Sequence, residues 1–185
     1  VKGDIYDVLI EFFYANASMN YIYDISLVRS FGQQGSAKSG NIERFKWWSE
    51  ARHNKELLVF WKETFDVAID VARDIPMIKH LLTMAQHATP AITPVEAWQR
   101  GFRTVVWFGI ENLIQFYMKT YATEMTSALY FTLMGVSARA NSLPRFNRFH
   151  TLAVSKGMGE FTQDNMLTLL ENCAEDKRYD LMMHV

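Results

Sequence analysis

Glu50-Ala51-Arg52-His53 sets a carboxylate and an imidazole three residues apart, the spacing that puts both on one helix face in di-iron carboxylate bundles. Such a centre needs a second pair and two further carboxylates, and none occurs at the right separation. The five histidines (His53, His80, His87, His150 and His184) are scattered. His80 and His87 share a helix face seven residues apart, but no cysteine or paired carboxylate stands at zinc spacing beside them. The single cysteine, Cys173, cannot close an intramolecular disulfide and reads as ordinary packing in a reducing compartment or an organelle interior. No Walker loop, G-x-G-x-x-G or G-x-S-x-G is present, and Gly157-Met158-Gly159 is too short to cradle a phosphate. The expectation is a chain without catalytic, cofactor or metal sites, one that acts by packing against proteins or a membrane.

Composition sets the frame for those residues. The 185 residues are 49% hydrophobic and 14% aromatic, enough for one sizeable core or two joined halves. Nineteen Lys and Arg against twenty Asp and Glu give a formal charge of -1, which argues against a dedicated nucleic-acid binder. The ten methionines read as gap filling in a core more readily than as an adaptable binding surface. No Met starts the chain and no signal-peptide pattern follows, so Val1 reads as a processed or truncated end.

Breakers divide the chain into four stretches, 1–40, 41–92, 93–138 and 139–185, and the pattern within them predicts an all-α protein. Apolar positions from Val8 to Leu27 predict a helical arm that ends in a flexible Gly/Ser loop, Gly32 to Gly40. From Ile42 to Ala72, Leu57, Trp61, Phe65 and Ile69 recur at i+4 opposite Lys62, Glu63, Asp66 and Asp70, predicting an amphipathic helix. Pro76 interrupts, and Met77 to His87 supplies a shorter helix before Pro90. Thr93-Pro94-Val95-Glu96 is a start signal: Thr93 caps, Pro94 suits the first helical position, and Glu96 bonds back to the cap. After Pro144, Thr162 is placed to cap a last helix over about Gln163 to Ala174.

The helix beginning at Thr93 is expected to run through Thr104 to Met118, fifteen residues with one charge, toward Val136. Crossing about 30 Å of hydrocarbon takes on the order of 20 apolar residues, and Thr104 to Thr123 is the one stretch that meets this length. Trp98, Trp107, Tyr117 and Tyr121 near its ends suit a membrane interface. Glu111 near its middle must then face protein, with a cationic, hydroxyl or head-group partner. Ala97, Gly101 and Gly109 are expected to line one helix face where a partner helix approaches closely.

Phe60-Trp61, Asp74-Ile75-Pro76, Ile78, Leu81 and Ile92-Thr93-x-x-Glu96-Ala97-x-x-x-Gly101, followed by an apolar helix, resemble subunit g of the mitochondrial F-type ATP synthase. The resemblance covers Leu57 to about Lys119, and the family's late Gly-Glu pair corresponds to Gly109-Ile110-Glu111, displaced and with one residue inserted. It implies a non-catalytic single-span accessory subunit of the mitochondrial inner membrane, near the dimer contact and supporting cristae curvature. The implied partners are a subunit e-like helix, other membrane subunits of the synthase, and a lipid bilayer containing cardiolipin; neither nucleic acid nor a cofactor is implied. The segments before Leu57 and after Tyr121 would be additions. Phe102-Arg103-x-Val-Val-Trp107-Phe108-x-Ile110-x-x-Leu113-x-x-Phe116 also resembles a spike helix of hepadnaviral core proteins, which implies a self-assembling helical shell protein. A helical interaction module is the third reading.

Overall fold

The computed structural model of the protein describes residues 22–49 and 60–158, together with 167, 169 and 171. Glu50, His53, Thr162, Cys173 and most of the expected arm from Val8 lie outside these residues. What is described is mainly α-helical, as the periodicity predicts, and the chain gathers into two compact units, Val1–Ala97 and Trp98–Val185. The boundary falls inside a helix.

In the first unit, α1 (Ile22–Ser39) packs on α2 (Ile42–Ser49) and on α3 (Lys62–Val71). The short strands β1 (Phe60–Trp61) and β2 (Ala88–Thr89) pair in parallel, Phe60 opposite Ala88, and bracket α3, α4 (Ile75–Met84) and a 3-10 turn (Ala85–His87). Phe45, Phe65, Ile69, Met77, Ile78 and Leu81 are fully buried and form the core. Each such side chain contributes about 1.5–3 kcal/mol by leaving water. Asp74 caps α4 by accepting a hydrogen bond from the Met77 N–H at 2.9 Å, and Pro76 sits harmlessly in the first turn, where its missing N–H is not needed.

Two expectations for this unit are corrected. The Gly/Ser cluster is not a loop: α1 runs through it to Ser39, because tertiary contacts outweigh the weak propensity of glycine. A Cβ on Gly32 would lie 2.1 Å from the Trp48 ring, so the missing side chain makes the bed for that indole. Ala37 is fully buried, the Ser36 hydroxyl donates to the Gly32 carbonyl at 2.7 Å, and the Gln33 amide donates to Ser49 Oγ at 3.1 Å. Nor is Ile42 to Ala72 one helix, since α2 ends at Ser49 and Phe60–Trp61 is extended against β2.

The second unit holds α5 (Pro94–Phe108, whose first four residues belong to the first unit), α6 (Glu111–Thr120), α7 (Ser127–Arg139) and α8 (Leu143–Ser155). α5 starts where Thr93-Pro94 predicts, with Thr93 Oγ1 accepting from the Glu96 N–H at 3.2 Å. The reciprocal half of the box is absent; the Glu96 carboxylate is taken by Lys62. α7 is capped by Thr126, which accepts from the Leu129 N–H at 3.2 Å, and α7 and α8 pack closely together.

The expected span from Thr104 to Thr123 is the main correction. Gly109 adopts φ +69°, α5 stops at Phe108, and the chain turns back into α6. The Gly109 N–H donates to Val106 O at 3.2 Å and the Ile110 N–H to Val105 O at 3.0 Å, the paired bonds of a Schellman cap with glycine in the left-handed position. The apolar residues are consumed by the fold: Trp98 stacks on Tyr121 at 4.5 Å and Phe102 on Tyr117 at 5.2 Å, pairs equidistant from the Gly109–Ile110 bond. No helix among the described residues is long and apolar enough to cross a membrane. The same break divides Phe102 to Phe116, the stretch likened to a continuous spike helix. It also removes Gly109 from any face shared with Ala97 and Gly101, both buried along α5.

Candidate interaction surface

Where α5 gives way to α6, the backbone exposes its last carbonyls, which no helical N–H can reach. Arg145, two residues into α8, answers them. Its Nη1 donates to the carbonyls of Val106 and, at 3.2 Å, Trp107, while its Nε donates to Ser142 Oγ at 2.8 Å. Gly109 leaves room for this: a Cβ there would stand 2.8 Å from Arg145 Nη1. Burial lowers the affinity of the Arg145 guanidinium for its proton, and the nearby Glu111 charge opposes that shift.

One turn further along α8, Arg148 Nη1 donates to Glu111 Oε1 at 2.5 Å, and Gln115 Nε2 donates to the same oxygen at 2.8 Å. Partial burial pushes the Glu111 carboxyl up, but the bonds from Arg148 and Gln115 and the charges of Arg148 and Arg145 outweigh it and hold the group below the ordinary glutamate value. Glu111 therefore has a cationic partner from a neighbouring helix, within its own chain. Its side chain is 58% exposed, so it lies at the surface and not in an apolar interior.

Beside this pair, Trp107 and Phe108 are exposed at 43% and 56%. The Arg139 guanidinium at the end of α7 lies over the Trp107 ring, 5.9 Å from its centroid. Arg103, exposed and one turn before Trp107, shares its face of α5. Among the described residues the corner thus gathers four arginines, two aromatic rings and one carboxylate from α5, α6, α7 and α8.

Of the site residues expected from the sequence, Glu111 and Gly109 lie here, Gly109 as the turn beneath Arg145 and not as a helix-packing position. Ala97 and Gly101 are covered, Thr93 and Glu96 serve the start of α5, and His80 and His87 lie in the first unit. Among the described residues no group of three His, Cys, Asp or Glu is arranged to hold a metal ion. In the second unit's core, Trp98 Nε1 and Tyr117 Oη are buried without a hydrogen-bond partner among the described residues, and burial raises the Tyr117 hydroxyl's pKa far above the ordinary tyrosine value.

The arginines were missed because the net charge of -1 averages over the chain. Residues 98–158 carry seven Lys and Arg against two Glu and no Asp, a formal +5, while residues 159–185 carry two against six. That segregation was the available signal. Comparison with protein families, with curated proteins and with solved structures finds no match.

Proposed function

We propose that this chain is a non-catalytic helical binding protein that holds an anionic partner at the α5–α6 corner of its second unit. The observation that carries the reading is the gathering of Arg103, Arg139, Arg145 and Arg148 at the turn that presents exposed Trp107, with Glu111 the one carboxylate there among the described residues. A charged group on a flexible stem is weakly placed, but here Arg145 is fixed by backbone carbonyls and Arg148 by Glu111. A guanidinium carries five N–H donors, and the contacts with described residues leave part of each fork for an incoming oxyanion. The subunit g reading calls for a helix crossing the bilayer, and the stretch expected to supply it is divided at Gly109 into α5 and α6.

The test is retention of the intact protein on an immobilised polyanion such as heparin. The wild type is expected to bind at low salt, and R103A/R139A/R148A to elute at markedly lower salt with unchanged helicity. Arg145 is left in place because it caps α5. Equal elution of the two proteins, or no retention of either, would remove the anionic-partner reading.

A further inference from the structure

Anion binding alone does not explain why two large aromatic side chains remain in water beside the arginines. Leaving Trp107 and Phe108 exposed forgoes the favourable burial that the rest of α5 achieves at Trp98 and Phe102. An indole already stacked under the Arg139 guanidinium presents a flat, π-rich platform at the edge of a cationic surface. That combination, cations for a phosphodiester backbone and exposed rings for bases, is how single strands are held without sequence readout. Duplex bases are already stacked on one another and offer no face to such a ring.

Resting on the anionic-partner reading, we propose that the α5–α6 corner binds single-stranded nucleic acid, its phosphates at Arg103, Arg145 and Arg148 and its bases against Trp107 and Phe108. A bilayer surface is a poorer fit. Among the described residues, the exposed positions flanking the rings along the chain, Arg103, Gly109, Glu111, Asn112 and Gln115, and the exposed Arg139 over Trp107 give a membrane no continuous apolar surface to receive. Glu111 tempers the site: its carboxylate competes with phosphate for Arg148, so the E111Q variant should bind a strand more tightly than the wild type.

The experiment measures fluorescence anisotropy of a labelled oligothymidylate of about 16 nucleotides titrated with the full chain, beside inorganic polyphosphate and phosphatidylserine vesicles as competitors. Saturable oligothymidylate binding is expected, lost in R103E and weakened about fivefold or more for each ring removed in W107A and F108A. Polyphosphate affinity is expected to be unchanged by the ring variants. R103E alters one exposed side chain, so it remains informative if either ring variant folds poorly, and circular dichroism checks each protein. If polyphosphate competes as strongly as the oligonucleotide and the ring variants bind normally, the nucleic-acid assignment is wrong while the anionic-partner reading stands. Binding only to vesicles would assign the corner to lipid and likewise overturn it. Absence of binding to all three would sink both.

Discussion

At the scale of single residues, His80 shows how burial is converted into pH dependence. Its Nε2 is buried without a hydrogen-bond partner among the described residues, and its ring stands edge-on to Phe45 at 5.8 Å. Burial first, then the Lys46 charge, pushes its pKa below the ordinary 6.5, with Glu43 opposing. The native state therefore keeps a neutral imidazole. As pH falls through 6.5, the unfolded chain takes up a proton that the folded chain resists, so stability present above that value is lost below it. Thermal unfolding followed from about pH 7.5 to about pH 5.5 should show this acid loss, and H80F should flatten it. An H80F profile parallel to the wild type would place the responsible group elsewhere.

Helix ends are where single glycines act on whole elements. Gly32, a loop signal by sequence, is a packing site inside α1, because its absent Cβ admits the Trp48 ring. G32A should destabilise the protein by about 1–3 kcal/mol through overpacking, measurable by urea unfolding; a value near zero would mean that Trp48 has an alternative place. Gly109 acts differently, since its φ of +69° is the left-handed conformation that costs an L side chain about 1–2 kcal/mol. G109A should lose at least that much, and adding R145A, which removes the side chain the new Cβ meets, should cost less than the two separate losses together. Strict additivity in that double-mutant cycle would deny the contact. The Gly109 signal was legible as a helix stop, but the apolar run around it suggested continuity. Apolar residues at helical spacing do not say whether their partner is lipid or the next helix of the same chain.

For the whole molecule, the decisive property is the separation of charge, not its total. A chain of net -1 with evenly spread charge should show little salt-dependent attraction to a polyanion. With three or four arginines on one corner, log affinity against log salt should fall with a slope of about -2 to -3, from roughly -0.7 per phosphate neutralised on a single strand. Measured on the intact chain, a slope near zero would show that the corner's charges are satisfied internally. The division into two units falls at Ala97, within α5 and a few residues after the Pro90 to Pro94 break that divides the sequence.

By itself the sequence determined the helical class, the start of α5 at Thr93-Pro94, and the amphipathic order of α3, because caps and periodicity act within a few residues of chain. It also held, unused, the excess of arginine between residues 98 and 158. Tertiary structure alone decided that Gly32 would pass through a helix and Gly109 would end one, since each choice depends on a partner distant in sequence: Trp48 for the first, Arg145 for the second. It likewise decided that Trp98 and Phe102 would find Tyr121 and Tyr117 while Trp107 stayed exposed beside Arg139. Those pairings form only once the chain has turned at Gly109, and the energy of stacking and burial that selects the turn is spread over residues that no local pattern connects.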